Sequence, residues 1–309
     1  MAIVHTVTGD VEPEDLGWTM PHEHIVIGFD GTQLDSTLSL DWPAIEAAAA
    51  ASLLRAKATG VRTIVDMTTI EMMRDADLLR RLSERTGVQI ICCSGLFADE
   101  YGIPHYFRQL GEEEFTEIFV HEVEEGIGGT GVRAGVIKVA TGGREVTPIE
   151  ESIIRAAGVA AARTGVPVLT HTGRGAGGER QIELLTGAGM APEKIVIGHS
   201  DVSANLKFHL RLLKAGAFVG FDRIGLPAFM PDPVRAQCIA SLVRLGYVGQ
   251  LMMSLDTHVR WCGRPQPLGA GDREFTTLAD DFFPLLRDAG VTDDDIHQMM
   301  VENPRRLFS

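Results

Sequence analysis

Trp18-Thr19-Met20-Pro21-His22-Glu23-His24 is an apolar-leaning run that ends in two histidines one residue apart. In a β-strand residues i and i+2 share a face, so His22 and His24 point the same way. Both can then address one site, as a metal ion requires. A second run, Gly135-Val136-Ile137-Lys138-Val139-Ala140, sets a lysine in the middle of an apolar strand candidate. A buried charge is expensive unless it is paired or chemically used. Working outward, His171, His199 and Asp256 close three further short β-type runs. Ligand-type residues thus recur at or near the C-terminal ends of successive strands, where a (β/α) barrel carries its chemistry.

The whole chain supports that architecture. Strands are expected at Trp18–His24, Arg62–Met67, Gln89–Gly95, Gly135–Ala140, Pro167–His171, Ile195–His199, Phe218–Asp222 and Leu251–Asp256. Their near-continuous apolar character suits parallel strands covered on both faces. Helical patterns follow at Ala44–Thr59, Met72–Thr86, Glu113–Glu125, Ile149–Thr164, Glu179–Ala188, Ser203–Ala215, Pro233–Leu245 and Thr276–Ala289. Gly60, Gly87, Gly165, Gly189, Gly216, Gly246 and Gly290 stand just past seven of them, where left-handed caps are wanted. Eight strand–helix pairs imply a closed (β/α)8 TIM barrel, one domain over residues 1–309, with the ligand-type residues at its C-terminal face. A last helix, Asp293–Val301, is expected to close the bottom.

Composition narrows the function. Of 309 residues 45% are apolar, enough for a large core, and the net charge is −14, which argues against nucleic-acid binding. Cys92, Cys93, Cys238 and Cys262 form no C-x-x-C pair, and adjacent Cys92-Cys93 read as buried apolar residues. The first residues lack a signal-peptide pattern, and no apolar run is long enough to span a membrane. The chain reads as cytoplasmic.

Four imidazoles (His22, His24, His171, His199) and Asp256 form a ligand set suited to zinc, cobalt, manganese or iron(II). They outnumber the needs of one tetrahedral ion, which points to two. With Lys138, this set resembles that of the phosphotriesterase family of the amidohydrolase superfamily. The resemblance extends over essentially the whole chain. It includes Gly60-Val61-Arg62-Thr63-Ile64-Val65-Asp66, Ile197-Gly198-His199, Gly220-Phe221-Asp222-Arg223 and Glu302-Asn303-Pro304-Arg305-Arg306.

The resemblance implies that His22, His24 and Asp256 hold the more buried of two divalent ions and His171 and His199 the more exposed one. It implies that Lys138 is N6-carboxylysine, its carbon dioxide-derived carbamate bridging both. A hydroxide shared by the ions would attack an ester-like carbonyl or phosphoryl centre, and Asp256 would carry away the proton. Family members are often dimers, so a homodimer is implied as well.

Three features bear on the substrate. Asp222-Arg223 resembles the lactonase branch, whereas the strongest phosphotriesterases carry histidine at the arginine position. Phe97 stands where lactonases use a tyrosine hydroxyl, with Tyr101, His105 and Tyr106 following. The stretch Ile224-Gly225-Leu226-Pro227 lacks the lysine of sugar-phosphate lactonases. Loop eight, Thr257 to Arg273, offers Trp261 as a pocket wall and Arg260 and Arg264 as cations. Met72, Leu226 and Phe229 are expected near the mouth. Catalytic candidates are Asp256 and Arg223; substrate contacts are Phe97, Tyr101, Arg223 and Trp261. The expected function is a lactonase with promiscuous phosphotriesterase and aryl-esterase activity on small lactone or ester substrates. A sugar-lactone or N-acyl amide hydrolase, a dedicated aryldialkylphosphatase, and a barrel that keeps its metals without turnover are the alternatives. Gly173-Arg174-Gly175-Ala176-Gly177-Gly178 fits a dinucleotide-binding pattern, but the preceding strand ends in His171, and a loop beside the metals is the better reading.

Overall fold

Every expected strand run forms a strand in the computed structural model, which describes residues 2–143, 145–175, 177–264 and 273–309. A short antiparallel hairpin, β1 (Val4–Thr6) and β2 (Gly9–Val11), precedes them. The barrel strands are β3 (Thr19–Gly28), β4 (Thr63–Asp66), β5 (Gln89–Gly95), β6 (Val136–Thr141), β7 (Val168–Thr172), β8 (Ile195–Ile197), β9 (Phe218–Phe221) and β10 (Leu251–Met253). Each pairs in parallel with the next. Closure between the last and the first rests on backbone bonds at the rim. The Asp256 amide donates to the His22 carbonyl at 3.0 Å, and the His24 amide donates to Thr257 at 2.8 Å.

Several boundaries differ from expectation: β8 and β10 stop at Ile197 and Met253, short of His199 and Asp256, and the sixth helix begins at Leu206 rather than Ser203. β3 runs to Gly28 rather than stopping at His24, because a strand within loop eight, β11 (His258–Cys262), pairs in parallel with its second half. Loop eight is therefore partly sheet; its residues 265–272 lie outside the described residues, as does Ala176 of the Gly-rich loop. The second helix begins at Ala76 rather than Met72, because Asp75 caps it by accepting from the Leu78 amide.

Helices α1 (Trp42–Ala58), α2 (Ala76–Thr86), α3 (Glu112–Glu124), α4 (Pro148–Thr164), α5 (Gly178–Gly187), α6 (Leu206–Lys214) and α7 (Asp232–Arg244) cover the outside. All seven glycines expected as helix ends have positive φ. The C-terminal helices α8 (Phe283–Asp288) and α10 (Asn303–Phe308) are each preceded by a widened π-type segment, Leu278–Phe282 and Gln298–Glu302, with α9 (Asp293–His297) between. Pro284 and Pro304 explain the widening: proline lacks an N–H and displaces the carbonyl a turn before it. Among the described residues, no helix is long and apolar enough to cross a membrane. All four cysteines are buried and free.

The core has two layers. One lies between strands and helices. The other fills the barrel floor, where Val65, Ile91, Val136, Leu169 and Met252 meet Leu307 and Phe308 of α10. Side chains two residues further along a strand face the same interior one layer higher. Val136 thus puts Lys138 above the floor, and Leu169 does the same for His171.

Strand spacing beneath the site depends on a glycine. Gly95, at the end of β5, has φ +107°, and a Cβ there would lie 1.9 Å from the Lys138 carbonyl oxygen. Gly95→Ala should cost about 3 kcal/mol or more, as overpacking added to backbone strain does. A thermal midpoint lowered by several degrees is the expected reading. An unchanged midpoint would show that β5 and β6 do not approach as described.

Candidate metal centre and substrate cavity

The strand ends bring the expected ligand residues together. Lys138 Nζ lies 2.7 Å from His22 Nε2. His199 Nε2 lies 2.8 Å from His171 Nδ1. Asp256 joins the two groups: Oδ1 is 3.4 Å from His24 Nε2 and 3.8 Å from His22 Nε2, and Oδ2 is 3.7 Å from His199 Nε2. Ligand atoms of His22, His199 and Asp256 all fall within 4.8 Å of one another.

Local backbone conformation delivers two of these groups. His199 and Asp256 stand just past short strands with φ of 56° and 50°. Such a conformation costs about 1–3 kcal/mol and persists only where surroundings enforce it. They do so here. The His199 amide donates to Asp222 at 2.7 Å. Around Asp256, the Glu23 carboxylate accepts from Ser254 Oγ and from the amides of Leu255 and Thr257. Arg273 donates to the carbonyls of Leu255 and Asp256.

Asp222 fixes the ring orientations. Its Oδ2 accepts from His22 Nδ1 and its Oδ1 from His199 Nδ1, both at 2.8 Å. With the protons held on Nδ1, each ring turns an Nε2 lone pair to the centre. That arrangement is the usual support of a metal-bound histidine. His24 Nδ1 is held by Thr68 Oγ1 at 2.9 Å.

The electrostatics favour ligation. Burial and the nearby Lys138 push His22 down to about 3, so its imidazole is neutral. Burial likewise holds His171 and His199 below the usual histidine range. Burial alone would raise Asp256, but His199, His24, His22 and Arg223 outweigh it and keep the carboxylate ionised. Lys138 is pushed down to about 8 by burial. A centre in which His22, His171 and His199 are neutral, beside one carboxylate and a partly neutral amine, fits divalent cations.

The cluster floors a cavity of about 370 Å³. His22, His24, Lys138, His171 and Asp256 line its base, with His199 buried beside them. The four expected substrate contacts, Phe97, Tyr101, Arg223 and Trp261, all line it, as do Met72, Leu226 and Phe229. Phe97 packs edge-on against His171, with centroids 4.7 Å apart. Arg223 brings Nε to 3.4 Å from Asp256 Oδ2, and its guanidinium lies over the Phe229 ring. Other candidates fall away from the cavity. Tyr106 is 68% exposed, and Arg264 pairs with Asp35 and Thr37 of the first loop.

Ile27, Phe29, His258 and Arg273 also line the cavity and were not singled out in the sequence. Phe29 links the loops, meeting Trp261 edge-on at 4.8 Å and Tyr101 face-on at 5.7 Å. Gly173, which opens the Gly-rich segment after β7, serves close packing: a Cβ there would lie 1.6 Å from the Gly142 carbonyl oxygen.

Comparison with known proteins agrees with this geometry. A family model described as the phosphotriesterase family matches residues 2–308. A protein named phosphotriesterase homology protein from Mycobacterium tuberculosis is 32% identical, over 100% of this chain and 98% of its own. An aryldialkylphosphatase from Saccharolobus solfataricus is 30% identical over 97% of each chain. Among solved structures, a mutant of a PTE-like lactonase from Deinococcus radiodurans is 39% identical, with a TM-score of 0.94 over 99% of this chain and 100% of that one.

Asp222 supports two imidazoles at once, so its loss should weaken the centre without removing a ligand. Asp222→Asn is expected to lower affinity for added zinc about ten- to a hundredfold, the usual cost of such a partner. Titration of metal-stripped protein measures it. Wild-type affinity in the variant would mean that the rings are oriented by something else.

Proposed function

The chain belongs to the phosphotriesterase family, and on that premise we propose that its cavity is the site of a metal-dependent hydrolase acting on lactones, with accompanying activity on phosphotriesters and aryl esters. The observation that carries this reading is Lys138. Its amine is buried under an apolar cavity and meets an imidazole nitrogen, not a carboxylate, at hydrogen-bond distance. Such a group is costly as an ammonium. As a free amine it can attack carbon dioxide: an N–C bond forms, the nitrogen loses a proton, and the product is an anionic carbamate. A carbamate on Lys138 would turn a misplaced cation into a ligand shared by two ions.

His22, His24 and Asp256 would hold one ion and His171 and His199 the other, with carboxylated Lys138 between them. Zinc suits the donors best, and cobalt, manganese or iron(II) fit as well. When bound, the ions supply Lewis acidity, offering a water of pKa about 7 as nucleophile and polarising the oxygen of the centre under attack.

The chain's own groups do the rest. Asp256 accepts the proton that the attacking water gives up, and Arg223 keeps that carboxylate oriented. Phe97, Phe29 and Trp261 exclude bulk water and enclose the apolar part of the substrate. Arg223 in place of a histidine relay, and the apolar lining, support a lactonase over a dedicated phosphotriesterase. Phe97 supplies no hydroxyl, so lactone turnover should be modest, with apolar lactones and aryl esters preferred.

A panel of lactones, phosphotriesters, aryl esters and N-acyl amides on metal-reconstituted protein tests the reading. Phe97→Tyr should raise lactone turnover relative to phosphotriester turnover by about tenfold, the scale of one well-aimed hydrogen bond. Equal ratios in both proteins would remove Phe97 from the substrate's path. A wild type that favours a phosphotriester near the diffusion limit would overturn the lactonase assignment.

A further inference from the structure

His258 is a cavity residue that neither the donor cluster nor the apolar wall accounts for. It opens β11, opposite His24 on the β3 ladder, and is half-buried. Its ring packs on Trp261, with centroids 5.8 Å apart at 60°. It therefore stands at one end of an aromatic series whose other end is Phe97: Trp261 meets Phe29, Phe29 meets Tyr101, and Tyr101 meets Phe97. Among the described residues its ring makes no hydrogen bond.

The two arginines of the cavity have hydrogen-bonded guanidinium groups, although Arg273 Nε is without a partner among the described residues. Both η nitrogens of Arg273 donate to the carbonyls of Ile224, Leu255 and Asp256. Arg223 is held between Asp256 and Phe229. An imidazole nitrogen can donate or accept, according to tautomer. His258 also borders a second pocket of about 170 Å³, lined in part by Ser52, Arg55 and Glu274. One nitrogen can thus serve a ligand while the other stays solvated, so that binding leaves neither without a partner.

We propose that His258 is a polar specificity contact of this site, hydrogen-bonding one donor or acceptor group on an otherwise apolar, uncharged substrate at the Trp261 end of the cavity. The word substrate rests on the hydrolase reading; the binding preference does not. A wall that hydrogen-bonds a substituent selects against the analogue that lacks it, because the imidazole is then pressed against hydrocarbon.

The test uses two uncleavable ester analogues of similar size, 4-methoxyacetophenone and 4-ethylacetophenone, titrated calorimetrically into metal-reconstituted protein. Wild type should bind the methoxy compound about fivefold more tightly, as one neutral hydrogen bond allows. His258→Phe, which keeps a ring against Trp261, should erase the preference. His258→Gln, which keeps a donor and an acceptor, should hold most of it. A wild type without the preference, or a His258→Phe variant that retains it, overturns the proposal. Neither probe is cleaved, so a lack of ester turnover in the panel above would count against the hydrolase reading alone.

Discussion

The buried amine of Lys138 is the constraint on which the top of this barrel depends. The lysine sits two residues above the floor, on a strand whose neighbours are apolar, and its Nζ meets His22. Among the described residues no carboxylate lies as close to it as that imidazole. Hydrophobic packing makes the site and at the same time makes it inhospitable to an ammonium, which is why burial pulls the lysine down to about 8. The partly neutral amine and the neutral imidazoles around it are one consequence of one environment. The same dryness that lowers their proton affinity leaves their lone pairs available to a metal.

Holding that cluster together takes strained backbone and long-range hydrogen bonds. His199 and Asp256 both occupy left-handed conformations. Each is locked from outside its own strand, His199 by Asp222 and Asp256 by the His22 carbonyl, Glu23 and Arg273. Glu23 shows how closely fold and site are joined. It separates the two histidines, points away from the centre, and ties β3 to the residues after β10, so the contact that closes the barrel also aims Asp256. The loop residues continue this design. Asp201 accepts from buried Arg235 and from the Arg223 amide, which links the loop after β8 to the residue that touches Asp256.

Much of this was legible in the sequence because the signals are local. Alternating apolar runs and helical patterns mark all eight barrel units, and the glycines after the helices mark their ends. The donors are legible because histidine, lysine and aspartate at strand ends conflict with an apolar context. What escaped reading depends on partners far away in the chain. The extension of β3 to Gly28 needs β11, more than two hundred residues later. Asp222 matters because it meets His22 and His199 together, a fact of closure and not of spacing. Glu23 and Arg273 act on backbone atoms, which leave no mark in a sequence pattern. Phe29 and His258 enter the cavity only once β11 is laid against β3.

The measurement that bears most directly on this account is the metal content of active protein purified with zinc and bicarbonate, compared between wild type and Lys138→Ala. The account requires about two ions per wild-type chain. It requires fewer in Lys138→Ala, with partial recovery of both metal and activity when a short carboxylic acid is added in place of the carbamate. One ion or none in active wild type, or full metal and activity in Lys138→Ala without added acid, would contradict it.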